Sequence, residues 1–247
     1  MIARLRVQPP HIALALAATF LSACDESPTI THYVLALSWQ PAFCEFNADR
    51  PECRALDPGD FAATHLTVHG LWPNDRPNGG PSHCGVDEST KALDRPESWC
   101  QLPEPEMSGM TRAHLAQTMP GVLSCLDRHE WIKHGTCARM GVERYFGETL
   151  RLASTVQATA FGQAISANVG REVAPERVTQ AFEASFGAGS SAALTLVCSD
   201  RGDLSEIRIA LQASALEGDL DRGDLYLDGP APVSRCPRTM RIDAAGP

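Results

Sequence analysis

Two short segments concentrate side chains able to move protons. The first is His69–Pro73 (HGLWP), an imidazole followed by Gly, Leu, Trp and Pro. The second is His129–Cys137 (HEWIKHGTC), where His129, Glu130, Lys133 and His134 fall within six residues. An imidazole has an unperturbed pKa of about 6.5, so two of them can act as base and acid near neutral pH. On a helix, Glu130 and His134 are four apart, as are His129 and Lys133, and Glu130 and Lys133 are three apart. All four side chains then share one face, while Trp131 and Ile132 turn toward the core. Single histidines and charged helix stripes are common. Two imidazoles with a carboxylate and an ammonium, closed by Gly-Thr-Cys, make a denser set. Trp72 adds a flat apolar face of the kind that stacks on nucleobases.

The second segment invites comparison with the zinc motif HExxH, and the spacing decides against it. Zinc hydrolases place two histidines at i and i+4 on one helix face. Here His129 and His134 are five apart, about 140° around a helix. No CxxC pair occurs, and the cysteine spacings are wide and irregular. Metal-free acid–base chemistry is therefore expected, with no cofactor.

Elements must bring these segments together. Thr31–Ser38 and Ala63–His69 read as strands, the second ending at His69 and aiming it into a cleft. Pro73–Pro105 is rich in Pro, Gly, Asp and Ser and reads as a long loop with two cysteines. Thr111–Met119 is expected as a short helix stopped by Pro120, and Leu126–Lys133 as a helix stopped by Gly135. Val142–Phe161 has helical apolar spacing at Val142, Tyr145, Phe146, Leu150, Ala153 and Val156. Pro175–Phe186 has Pro in its first turn and Gly187 after its end. Ala193–Cys198 and Glu206–Leu211 read as paired strands. Strands first, helices in the middle and strands again predict an α+β fold. Its central, mainly antiparallel sheet is flanked by helices in a single disulfide-stabilised domain.

The start of the chain reads as an export signal. Arg4 and Arg6 precede an apolar run, Ile12–Leu21, too short to span a bilayer. Leu21–Cys24 (LSAC) looks like a bacterial lipobox with Cys24 as the lipidated mature N-terminus; the alternative is an ordinary signal peptide containing a Cys. The expected division is a lipoprotein-type signal peptide over 1–23, a polar tether over 24–31 and the catalytic domain over 32–247. Of nine cysteines, eight remain once Cys24 is set aside, an even number suited to four disulfides in an oxidising compartment. A periplasmic monomer, held to the inner membrane by lipid on Cys24, is the expected form. From Cys24 onward 19 basic residues face 30 acidic ones, a net of −11. Such a balance argues against general nucleic-acid binding and leaves room for a small basic site.

HGLWP followed about sixty residues later by HEWxKHGTC resembles the paired active-site segments of the ribonuclease T2 family. Further similarity lies in Leu35–Cys44 (LALSWQPAFC), the loop between the blocks and the strand with Cys198. The resemblance implies endonucleolytic cleavage of single-stranded RNA, through a 2′,3′-cyclic phosphate to 3′-phosphate ends, with low base specificity. It implies His69 and His134 as catalytic histidines, with Glu130 and Lys133 stabilising the phosphorane-like transition state. His129 would hold the phosphate, Trp72 would stack on a base, and Gln40 would contact a second base. It implies the disulfides Cys84–Cys137 and Cys198–Cys236, leaving Cys44–Cys53 and Cys100–Cys125 for the other four cysteines. Fungal members often carry Asp directly after HGLWP; here Asn74 stands there and Asp75 follows, so base preference does not carry over. A binding-only descendant of this scaffold would tolerate loss of His69 or His134, and both are present. His32, His65, His83 and His114 lie outside the blocks and read as surface or core residues, with His65 a minor site candidate on the His69 strand face.

Overall fold

Alternation along the first strand sets the architecture. The computed structural model describes residues 29–75, 79–229 and 234–246; the signal segment and Cys24 lie outside them. In chain order the elements are β1 (His32–Ser38), α1 (Gln40–Cys44), α2 (Pro51–Arg54), α3 (Phe61–Thr64), β2 (Thr67–Asn74), α4 (Glu88–Ala92), α5 (Gly109–Thr118) and α6 (Leu126–Lys133). They continue with α7 (Val142–Ala158), α8 (Ala160–Ser166), β3 (Arg171–Val173), α9 (Pro175–Phe186), β4 (Leu194–Cys198), β5 (Leu204–Leu211) and β6 (Met240–Ile242). Four strands form an antiparallel sheet in the order β2-β1-β5-β4, and β3 pairs with β6 in a small second sheet. The fold is α+β, as its segregated pattern predicts, with one hydrophobic core.

Residues directly opposite in an antiparallel sheet share a face. Leu35, Leu37, Val68, Leu71, Ile207 and Ile209 therefore line one face, and all are buried. Tyr145, Phe146, Leu150, Leu152 and Val156 of α7 join this core, as do Val178 and Phe182 of α9. The other face carries Ala36 and Ser38 of β1, Trp72 of β2, and Glu206 and Arg208 of β5. That face becomes the floor of the site.

Three sequence expectations need correction. The second strand starts at Thr67, not Ala63, because Phe61–Thr64 turns as a helix; it also runs on to Asn74. The helix from Val142 breaks at Thr159, whose backbone is extended (ψ 166°) and whose side chain accepts from the Gly162 amide to cap α8. Apolar spacing hides the break because Phe161 and Ile165 continue into the same core. Finally, the loop between the blocks contains α4, capped by Asp87, and a 3-10 turn at Trp99–Gln101.

Four disulfides are closed: Cys44–Cys53, Cys84–Cys137, Cys100–Cys125 and Cys198–Cys236. Two of them bracket α6. Cys125 is its N-cap residue, and Cys137 ends the 3-10 turn that follows His134. The loop between the blocks is thereby fastened to both ends of the helix bearing the second segment.

Candidate active site

His69 lies within β2, at an irregularity in its pairing with β1. Ala36 faces Gly70 and Leu37 faces Val68, so His69 is the extra residue of a β-bulge. A bulge re-aims a side chain without losing the strand. Here it puts both His69 and Gly70 on the site face and returns Leu71, fully buried, to the core. The expectation of a strand-end histidine is corrected accordingly. It also removes His65, which follows α3 and stacks on Phe61 instead of sharing the strand.

Gly70 has a steric reason to be glycine. A Cβ there would sit 1.8 Å from Glu130 Oε2 and 2.9 Å from Trp72 Nε1. The missing side chain lets α6 lay the Glu130 carboxylate, fully buried, against the strand. Trp72 Nε1 donates to Glu130 Oε2 at 2.9 Å. The second glycine of the paired His-Gly dipeptides, Gly135, makes room for Trp131, whose Cε3 would lie 2.2 Å from a Cβ.

Around Glu130 the expected residues converge. Its Oε1 lies 3.6 Å from His69 Nε2 and 3.8 Å from His129 Nε2. That oxygen is buried without a hydrogen-bond partner among the described residues. The Trp72 ring neighbours both imidazoles, with ring centroids 5.1 Å from His69 and 5.4 Å from His134. The His129 and His134 rings meet edge to face at 6.2 Å. Lys133 ends α6, half-buried, and its charge acts on Glu130, His129 and His134.

Electrostatics sets the two histidines apart. For His69, burial opposes the charged form, but the Glu206 hydrogen bond and the charges of Glu130 and Glu206 outweigh it and raise the pKa. For His134, burial and then the positive charges of Lys133 and the other histidines push the pKa down to about 2. Burial pushes Glu130 up to about 7, against the pull of His69, the Trp72 hydrogen bond and Lys133. Burial likewise lowers His129, despite its bond to Asp94. The resting site thus holds a neutral imidazole, a more basic imidazole and a carboxyl group that is readily protonated.

Three supporting residues escaped the sequence reading. Asp94, from the loop, accepts from His129 Nδ1 at 2.5 Å and from His83 Nε2 at 2.7 Å. His83, assigned outside the site, is thus tied to it, and its amide donates to the Lys133 carbonyl at 2.9 Å. Trp99 stacks on His129 with centroids 4.4 Å apart. Glu206 meets His69 Nδ1 at 2.6 Å. No motif marks these three; each reaches the site only through tertiary packing or the Cys100–Cys125 bridge next to Trp99.

Gln40 is a second correction. It is buried, and its amide Nε2 faces the Cys44–Cys53 sulfurs at 3.4 and 3.9 Å, which leaves it no surface to offer a base. The Trp72 ring, expected to stack on a base, carries the Arg208 guanidinium over it at 5.1 Å. His32 stacks on Tyr226, and His65 and His114 line a separate groove with Phe61, Leu66 and Leu123.

Among the described residues, His129, Glu130 and His134 offer ligand atoms within 4.8 Å of one another. The positive charge of Lys133 acts on all three and would oppose a cation held among them.

Comparison with known proteins agrees with this geometry. The model of the Ribonuclease T2 family matches residues 30–218. Ribonuclease I of Escherichia coli is 35% identical over 235 residues, covering 87% of this chain and 86% of the relative. A ribonuclease of Aeromonas hydrophila is 32% identical over 132 residues, about half of each chain (51% and 48%). Among solved structures, trichomaglin, described as an S-like ribonuclease, superposes with a TM-score of 0.59 at 18% identity, covering 89% of this chain and all of that one. The SF11-RNase of Nicotiana alata gives 0.58 at 16% identity, over 87% of this chain and 100% of its own.

Proposed function

Because this chain belongs to the ribonuclease T2 family and is an endoribonuclease, we propose that it cleaves single-stranded RNA by metal-free transphosphorylation. His134 takes the proton of the 2′-hydroxyl, which attacks the adjacent phosphorus. His69 gives its Nε2 proton to the departing 5′-oxygen. The 2′,3′-cyclic phosphate is then opened by water with the roles reversed, leaving a 3′-phosphate. The carrying observation is geometric: His69 and His134 both flank the Trp72 ring beside Glu130, and the Glu206 hydrogen bond favours protonated His69 while burial and Lys133 keep His134 neutral. Each proton transfer is worth roughly 10²–10⁴-fold in rate.

Charge gathers on the non-bridging oxygens as the phosphorane forms. Lys133 offsets it, and Glu130 in its protonated form donates to it from Oε1, the oxygen that Trp72 leaves free. His129, fixed by Asp94 and Trp99, steadies the phosphate. A base that stacks on Trp72 makes a contact blind to base identity, in keeping with low base specificity.

The test uses a substrate with an activated 5′-leaving group, such as uridine 3′-(4-nitrophenyl phosphate), which departs without a proton. His69→Ala should recover most of its lost rate on it, and His134→Ala should stay inactive; rescue of His134→Ala alone reverses the assignment.

The same reading places a monomer in the periplasm, anchored at Cys24. Its support is that the other eight cysteines are used in disulfides, leaving Cys24 as the odd one. Mass spectrometry of the mature N-terminus should find lipid on Cys24; an unmodified terminus beyond it overturns the anchor.

A further inference from the structure

His69 has a partner that neither active-site segment contains. Glu206 begins the site face of β5, two strands away from β2 in the order β2-β1-β5. Adjacent strands lie about 4.8 Å apart, so a contact across the intervening β1 spans roughly 10 Å of backbone. It forms because β1 places only the small Ala36 and Ser38 between them on this face and because the bulge adds His69 to it. Glu206 Oε2 then reaches His69 Nδ1 at 2.6 Å, and Arg208 Nε, two residues along β5, holds Oε1 at 2.5 Å. Glu206 is nearly buried, with 12% of its side chain exposed, so both oxygens are committed.

We propose that Glu206 is a positioning residue for the reaction: it fixes His69 through Nδ1 so that Nε2 alone faces the scissile phosphate, with Arg208 holding Glu206 in place. This rests on the reading of His69 as proton donor. When imidazolium His69 gives its Nε2 proton to the 5′-oxygen, the other proton stays on Nδ1 and keeps its hydrogen bond to Glu206. The product is the neutral tautomer whose bare Nε2 can take a proton from water in the second step. Swinging the ring would exchange a charge-assisted hydrogen bond for none. The charged groups around His69 are Glu206 and Arg208 from β5, and Glu130, His129 and His134 from α6 and its end. Only Glu206 contacts Nδ1 among the described residues. The bond also favours the charged imidazole: burial works against ionised Glu206, yet its bond to His69 and the nearby Arg208 hold its pKa down.

Glu206→Gln keeps the shape and removes the charge. We expect kcat on a dinucleotide RNA to fall about 10- to 100-fold with KM little changed, as for loss of an orienting partner. The basic limb of the pH profile should move to lower pH, and the His69 ring signal in NMR should titrate at lower pH. On the nitrophenyl substrate the variant should approach the native rate. Arg208→Gln takes the second partner from Glu206 and should lower kcat by less than Glu206→Gln does. An unmoved His69 titration and an unmoved basic limb in Glu206→Gln would reduce Glu206 to a structural residue, whatever His69 does. Failure of the nitrophenyl substrate to rescue His69→Ala would overturn the donor reading, and the NMR titration would still decide whether Glu206 sets the state of His69.

Discussion

Glu130→Gln should make the protein more stable and less active, and the stability gain should depend on pH. Glu130 is fully buried and its carboxyl group titrates near 7 instead of 4.5. A folded pKa above the unfolded value means that the stability associated with the protonated form is fully present below pH 4.5 and is lost as pH rises through 7. That interval corresponds to about 3 kcal/mol. Gln keeps the shape and an oxygen to accept from Trp72 Nε1, and it cannot ionise. The variant should match the native protein near pH 4.5 and exceed it by about 3 kcal/mol by pH 8, or roughly 6–12 °C in Tm at this size. Activity should fall, because the acidic O–H at the Oε1 position is replaced by a neutral amide N–H, a weaker donor to a charged phosphorane oxygen. Urea denaturation of the disulfide-intact proteins at the two pH values measures the difference. A constant offset between them, or a variant that is less stable at pH 8, would refute the reasoning, since Glu130 would then be an ordinary satisfied carboxylate.

Gly70→Ala puts a Cβ 1.8 Å from Glu130 Oε2, so the carboxylate must leave its seat; kcat should drop by about 100-fold or more and stability by about 1–3 kcal/mol, read by kinetics and thermal melts. Replacing Cys84 and Cys137 by Ala opens a loop of 53 residues and should cost about 4 kcal/mol in the chain-entropy model, with activity lost at lower temperature than in the native enzyme. On the proposed mechanism, the form active in kcat/KM against pH has neutral His134 with protonated His69 and Glu130. The profile should therefore fall as pH rises through about 7 and retain activity well below the ordinary imidazole range, because His134 is pushed down to about 2. A maximum on the alkaline side would contradict this protonation pattern.

The candidate site was legible where neighbours in sequence are neighbours in space. His129, Glu130, Lys133 and His134 sit on one helix and its end, so helical spacing alone predicts their meeting. The helix boundaries at Leu126–Lys133 and Pro175–Phe186 were readable for the same reason, as Gly and Pro punctuate them. What depends on strand register was not. The bulge at His69 exists only in relation to Ala36 and Leu37, and period-two reasoning wrongly promoted His65. Asp94 and Glu206 are single acidic residues in an acidic chain, and nothing local separates them from solvated ones. Gln40 failed because its burial beneath a disulfide is a tertiary fact. The stop at Thr159 was hidden by apolar spacing that continues across it.

The central claim is tested most directly by identifying the ends that the purified native protein leaves on a short RNA in the presence of EDTA. The account predicts undiminished cleavage, accumulation of 2′,3′-cyclic phosphate, its slower conversion to 3′-phosphate, and no cutting of the matching DNA, which lacks the 2′-hydroxyl. Loss of activity with EDTA, or 5′-phosphate ends, would contradict it.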